Sequence, residues 1–304
     1  MSAGQVLITG GTGFLGRALC RYYIEIGATV AVLTRDATRA RQVLPPGVAI
    51  ITESLHSLSG SFEAGVIFNL AGRNLASARW NEARKQGFID SRVDVTNAVV
   101  EYIAGCVRPP AVLVSGSAVG YYGARGDEKI DEQGEPADEF QSRLCRQWEQ
   151  AALAAQKHGT RVCLMRSGAV LGPGGGPLAG LLPPFRLGLG GYLGDGNQWL
   201  SWIHIRDWVR LAVHLTANNT LSGAFNATSP RPETNRAFAR QLAATLGRPA
   251  WLRIPGFMVR LQAGEMAHLL LTGQRVIPDR ARASGFRFRY ADLGRALADI
   301  LKKQ

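Results

Sequence analysis

No stretch of this chain approaches the roughly 20 consecutive apolar residues that a bilayer-spanning helix requires, so the sequence predicts no membrane segment. Lysine is scarce. Nearly all of the 35 basic residues are arginine, and they alternate with Asp and Glu instead of clustering. A net charge of +12 spread in that way describes a solvated surface with a modest attraction for small anions. The interleaving of aromatic and basic residues that nucleic-acid binding uses is missing, so no nucleic-acid partner is expected. Cysteine is sparse too. The four, at positions 20, 106, 145 and 163, form no C-x-x-C pair and have no histidine at ligand spacing, which argues against a disulfide framework and against a zinc site. No metal is expected. Ahead of the first apolar run, QVLITG from Gln5, there is neither a basic segment nor a cleavage site; a signal peptide has no room there, and a cytoplasmic location is the expectation.

What is present is a chain of 304 residues, 46% apolar and 19% charged, enough for one large domain with a smaller lobe. Over the first 170 residues short apolar strands alternate with helical patterns. Strands read at QVLITG, TVAVLTR, VAIITE, AGVIFNLAG, PAVLVSGSA and RVCLMRSGAV, with helices at RALCRYYIEIG, DSRVDVTNAVVEYIAGC and FQSRLCRQWEQAALAAQKHG. That alternation predicts βαβ units, a parallel sheet and the α/β class. After Leu171 the stretch GPGGGPLAGLLPPFRLGLGGYLGDGNQ is too rich in Gly and Pro for one regular element and reads as a loop holding a broken helix, of the kind that caps a pocket. WIHIRDWVRLAVHLTAN returns to helical spacing, and GAFNATS reads as a further strand. The expected division is a nucleotide-binding domain over 1–170, to which 200–228 returns, and a substrate-facing lobe from 171–199 and 229–304.

Gly10, Gly13 and Gly16 stand directly after a strand and at the opening of a helix. The first allows a sharp turn, the second lets the backbone approach a pyrophosphate, and the third lets helix and strand pack closely; the helix N-terminus then offers free N–H groups to the anion. Thr12, Phe14 and Leu15 complete the predicted cofactor turn. An NAD-specific site carries an acid about 20 residues further on. Here that place holds Thr34 and Arg35, with Arg39 following, and a guanidinium suits the 2′-phosphate of NADP; Asp36 keeps NAD open. Leu70, Ala71 and Gly72, in NLAG after the fourth strand, are expected along the cofactor's adenosine side, and Ser115, Arg92 and Cys145 complete the candidate contacts.

GGTGFLG, NLAG, SGSAVGYYG, RSGAVLGPGGG and WIHIRD together resemble the NAD(P)-dependent epimerase/dehydratase family, the extended branch of the short-chain dehydrogenase/reductases. GRNLASARWN, FQSRLCRQWE, PFRLGLGG and GQRVIPDRARASGFRFRY are similar to an atypical, YfcH-like subgroup of it, which carries a C-terminal domain of unknown function. The resemblance covers essentially the whole chain. It implies a Rossmann doubly wound parallel sheet with a small C-terminal substrate lobe, and a nicotinamide cofactor.

It also exposes what is missing. The parent family moves a hydride with a Ser or Thr and a Tyr-x-x-x-Lys pair, in which the lysine lowers the phenol's pKa and holds the nicotinamide ribose. Matched on the serine of the fifth strand, Ser117, and on a glutamate, Glu149, the family's tyrosine falls on Gln141 and its lysine on Cys145; its asparagine appears as Arg92. Losing a positioned acid/base group typically costs ~10²–10⁴-fold in rate. Of the usual catalytic groups only Ser117 remains, and Tyr121 is the candidate proton donor beside it. Tyr121 and Tyr122 otherwise read as pocket lining, Cys145 as a small buried residue or a thiolate nucleophile, His204 as helix N-terminal packing or a proton shuttle, and Arg92 and Arg166 as contacts for an anionic substrate or local salt-bridge partners. The resemblance leaves two expectations: an NADP(H)-binding oxidoreductase or epimerase with altered acid/base groups, or a non-catalytic NADP(H)-binding redox sensor or binding module. A homodimer is expected from the family's habit of pairing.

Overall fold

The computed structural model of the chain describes residues 4–52, 55 and 62–302. Seven strands form one parallel sheet: β1 (Gln5–Thr9), β2 (Thr29–Leu33), β3 (Ala49–Ile51), β4 (Val66–Asn69), β5 (Val112–Ala118), β6 (Arg161–Ser167) and β7 (Gly223–Ala227). Their spatial order is β3-β2-β1-β4-β5-β6-β7. The register is set by side chains that alternate between two buried faces, which is why these strands read as near-continuous apolar runs. On one face Ile8, Val32, Phe68, Val114 and Met165 pack with Leu19 of α1 (Phe14–Glu25) and with Trp208 and Leu211 further along the chain. On the other, Leu7, Ala31, Ile67, Leu113 and Leu164 pack with Val99, Tyr102 and Ile103. The α/β class and the doubly wound parallel sheet are as the sequence predicts.

Helix α2 (Ala37–Val43) follows β2; α3 (Glu82–Gly105) and α4 (Phe140–Leu153) cover the second face; α5 (Gly176–Arg186) and α6 (Ile205–Ala217) follow β6. Two local expectations need correction. The helix before β5 starts at Glu82, well ahead of Asp90, because the Asn81 side chain accepts a hydrogen bond from the Arg84 N–H at 2.9 Å; that polar first stretch has no apolar period to reveal it. WIHIRDW is not helical from its start: Trp202–His204 is a short strand paired in parallel with Ala169–Leu171, and the helix opens at Ile205.

The smaller C-terminal region has its own core, in which Leu178, Leu182 and Phe185 of α5 meet Phe238 and Leu242 of α7 (Asn235–Thr245) and Leu293, Leu297 and Ile300 near the end of the chain. Two further helices, α8 (Gly256–Ala263) and α9 (Ala267–Leu271), lie against the openings of α3 and α4. Arg79 Nε donates to the Gln262 carbonyl at 2.8 Å, Lys85 pairs with Glu265 at 2.6 Å and His268 with Glu139 at 3.1 Å. Among the described residues no helix is long and apolar enough to cross a membrane.

The strand order reverses between β1 and its neighbours β2 and β4. In open α/β sheets ligands bind in the crevice outside the carboxyl ends of the strands at such a switch point. Thr9, Asn69, Ala118 and Ser167 end the central strands on that side.

Candidate active site

The glycine turn is shaped by what a side chain would strike. Gly10 has φ +68°, and a Cβ there would lie 2.6 Å from the Leu70 carbonyl oxygen. A Cβ on Gly16 would come 2.4 Å from the Gly10 oxygen, so the helix packs on the turn only without one. Gly13 is the N-cap of α1, with no side-chain cap and no acid in the first turn, which leaves the leading N–H groups to an external anion. This cradle fits a dinucleotide pyrophosphate. Thr12 lies half-buried within the turn, and Leu15 packs onto the core beneath it. Phe14 does something the sequence did not suggest: its ring lies over Gly172, Gly175 and Gly176, where added Cβ atoms would meet it at 2.9, 2.3 and 3.1 Å. The ring leaves no room for a Cβ at Gly172 or Gly175, while Gly174 and Gly176 take positive φ, +68° and +63°.

At the end of β2, Arg35 and Arg39 are both exposed. Asp36, the residue that kept NAD open, is used otherwise. Its carboxylate caps α2 by accepting from the Arg39 N–H at 2.9 Å, and its own N–H donates to Thr34 Oγ1 at 3.2 Å.

Beneath NLAG lies a polar cluster missed in the sequence. Thr9 Oγ1 donates to Asn69 Oδ1 at 2.7 Å and accepts from the Leu70 and Ala71 N–H groups at 3.1 and 3.2 Å. Asn69 Nδ2 in turn donates to Thr96 at 2.7 Å and to Ser115 at 3.2 Å. Ser115 is wholly buried, and its hydroxyl faces this cluster. The cluster fixes the Leu70–Gly72 backbone; the available signal was a Thr and an Asn ending two otherwise apolar strands. Gly72 lies on Arg92, whose Cζ would be 2.9 Å from a Cβ at that position.

At the ends of β5 and β6 polar side chains are bonded to one another. Ser117 Oγ donates to Glu149 Oε1 at 2.6 Å. Arg166 grips the same carboxylate through Nε and Nη2, both at 2.8 Å, and donates from Nη1 to the Tyr122 hydroxyl at 3.0 Å. The Tyr122 hydroxyl donates to Asn226 Oδ1 at 2.7 Å. Burial pushes the Tyr122 phenol up to about 12. Burial alone would weaken the Arg166 cation, yet the Glu149 carboxylate holds its pKa above the ordinary value. Arg166 is thus a buried salt-bridge partner, and Tyr122 a closed core residue. Tyr121 is different: its half-buried ring lies flat on Arg166, with Cζ 3.5 Å from the ring centroid.

Gln141, Cys145 and Glu149 share the buried face of α4. The Gln141 amide donates to Glu139. Cys145 donates weakly to the Ala118 carbonyl at 3.7 Å, and burial drives its pKa up to about 11, which corrects the nucleophile alternative, since the thiol keeps its proton at neutral pH. The proton-shuttle alternative for His204 also falls. Its Nδ1 accepts from the Arg206 N–H at 3.1 Å as the cap of α6, its ring stacks on Tyr290 at 3.9 Å, and burial lowers its pKa to about 4. No group of three or more potential metal-binding side chains occurs among the described residues.

The NAD dependent epimerase/dehydratase family matches residues 6–227, and a domain of unknown function, DUF1731, matches residues 254–300. The chain is 39% identical over 305 residues to the chloroplastic SDR39U1 homolog of Arabidopsis thaliana, an epimerase family protein, covering 98% of this chain and 86% of that one. It is 34% identical over 299 residues to the epimerase family protein YfhF of Bacillus subtilis, covering 98% of each. The crystal structure of human SDR39U1 (isoform 2) with NADPH superposes with a TM-score of 0.89 at 34% identity, covering 99% of this chain and 100% of that one. With a seven-stranded parallel sheet, a glycine cradle at its switch point and matches over nearly its full length, the chain belongs to the NAD-dependent epimerase/dehydratase family, as an SDR39U1/YfhF-type member with a C-terminal DUF1731.

Proposed function

We propose that this chain binds NADP(H) and acts as an oxidoreductase or epimerase-like enzyme, with Tyr121 replacing the missing tyrosine as proton donor. One observation carries the coenzyme choice: at the end of β2 the guanidinium groups of Arg35 and Arg39 are exposed while the neighbouring Asp36 carboxylate is committed to capping α2. An acid occupied in that way is a poor acceptor for a ribose hydroxyl, whereas a guanidinium fork suits a 2′-phosphate. The human relative crystallised with NADPH agrees with this choice. The pyrophosphate would rest on the Gly10–Gly16 turn, and the coenzyme would supply or accept a hydride. The chain's own part is to orient it, exclude water and move a proton. At the end of β5 Tyr121 is half-buried where Tyr122 is fully buried, and its ring rests on a buried cation.

A second reading, a non-catalytic NADP(H) sensor or binding module, draws on Ser117, whose hydroxyl is committed to a hydrogen bond with Glu149, and on positions 141 and 145, which hold no acid/base group ready to titrate near neutrality. Calorimetry on the wild type and Arg35→Asp tests the coenzyme: NADPH affinity falls by about tenfold or more while NADH affinity changes little, and equal losses defeat the proposal. Oxidation of bound NADPH by members of a carbonyl and sugar-nucleotide library, abolished by Tyr121→Phe, supports the enzyme; tight binding without turnover supports the module.

A further inference from the structure

Burying a guanidinium without a counter-charge is costly, and the crevice treats its two such groups differently. Arg166 is held by two 2.8 Å bonds to Glu149. Arg92, half-buried on α3, has only neutral company. Its Nη1 donates to the Phe88 carbonyl at 3.1 Å and its Nη2 to the Arg73 carbonyl at 3.0 Å, and its Cζ lies 5.3 Å from the centroid of the Trp148 ring. Among the described residues it makes no ion pair. Burial lowers its pKa, with only the Cys145 thiol opposing that. A guanidinium carries five N–H donors, and these contacts use two.

Its place is as telling as its isolation. The guanidinium touches Gly72 in the loop after β4, and Cys145 beside it reaches the carbonyl of Ala118, the last residue of β5. Arg92 therefore stands between the carboxyl ends of two central strands, where ligands enter this fold. Gly72 and Cys145, packed beside it, offer it no counter-charge. The two carbonyl bonds and the Trp148 face fix the planar fork before any ligand arrives.

We propose that Arg92 is an oxyanion-binding group of the crevice, receiving a phosphate or carboxylate of the bound ligand in its fork. The oxyanion has two sources, the coenzyme's pyrophosphate or an acid group on the substrate. The proposal rests on the NADP(H) reading above for its position in the site. It goes beyond that reading by naming the charge that the crevice, with cysteine at position 145, draws from α3.

The test uses the full chain as wild type, Arg92→Met and Arg92→Lys, titrated calorimetrically with 2′,5′-ADP, with NADPH, and with malonate added to NADPH-saturated protein. 2′,5′-ADP carries the adenosine-side phosphate of the pyrophosphate but not the nicotinamide-side one: a loss with it as well as with NADPH supports the former, and equal binding in all three confines the contact to the nicotinamide-side phosphate or a substrate acid. Arg92→Met is expected to lose about tenfold or more in one of the other titrations. Loss in the NADPH titration assigns the coenzyme's phosphates; loss in the malonate titration assigns a substrate acid. Unchanged values in both overturn the proposal and leave Arg92 a strut between α3 and the Gly72 loop. If Arg92→Met does not fold, Arg92→Lys decides, since it keeps the charge without the fork: values equal to wild type overturn the proposal and reduced ones support it. If the wild type binds neither nucleotide, the NADP(H) reading falls separately. The midpoint shift produced by inorganic phosphate in a thermal melt then decides on Arg92, supported by a shift that Arg92→Lys diminishes and overturned by one it leaves intact or by none.

Discussion

Around Gly10–Gly16 the chain withholds side chains and presents backbone, whereas at the ends of β5 and β6 it brings in Ser117, Glu149, Arg166 and Tyr122 and bonds them to one another. The first arrangement leaves its donors open: the leading N–H groups of α1 have no side-chain cap, and the helix packs on the turn only because Cβ atoms are absent at Gly10 and Gly16. The second is complete by itself. A carboxylate, a guanidinium and two hydroxyls that satisfy one another form a self-contained floor, on which the Tyr121 ring lies. The difference teaches where to expect ligand dependence and where to expect stability dependence.

The largest effect should come from the self-contained end. Glu149→Gln leaves Arg166 buried without its counter-charge, a change that typically costs about 3–5 kcal/mol. Urea denaturation should show a loss of that order. A loss below about 1 kcal/mol, the size expected of an exposed pair, would mean that the network is not a buried unit.

Next in size is a pH effect at the N-cap of α6. The folded His204 has its pKa lowered from 6.5 to about 4, by burial first, against the pull of Asp299 and Asp207. The unfolded chain therefore binds a proton between those values while the folded chain does not. The stability His204 contributes is complete above pH 6.5 and is lost as the pH falls toward about 4, amounting to about 3 kcal/mol across the window. His204→Asn keeps a helix-capping side chain and removes the titration. The difference between wild type and variant in denaturation midpoint should narrow on acidification, and a constant difference refutes the assignment.

The smallest effect on stability, yet a selective one on binding, belongs to the open end. Gly16→Ala puts a methyl 2.4 Å from the Gly10 oxygen, so the turn must move. NADPH affinity is expected to fall about tenfold, or ~1.4 kcal/mol, whereas Glu149→Gln should leave it nearly unchanged in the folded protein. If the two substitutions gave the same pattern, the contrast between the ends would be lost.

Legibility in the sequence followed the same division. The glycine spacing, the exposed arginines after β2 and the apolar strands could be read directly, because each depends on local backbone geometry or on a period along the chain. The absence of the Tyr-x-x-x-Lys pair was equally plain. What escaped was pairing across distance: Thr9 with Asn69, Ser117 with Glu149, Tyr122 with Asn226. Residue type alone left Arg166, His204 and Cys145 each with two roles, and burial chose between them.

By itself the sequence determined a parallel α/β sheet with a glycine turn after its first strand, since strand periodicity and glycine's missing Cβ act over a few residues and need no partner from elsewhere. Only the tertiary structure decided which charged and polar groups remain available. That depends on which side chains the folded chain sets within hydrogen-bonding distance, as it gives Glu149 to Arg166 and leaves Arg92 with carbonyls and a ring.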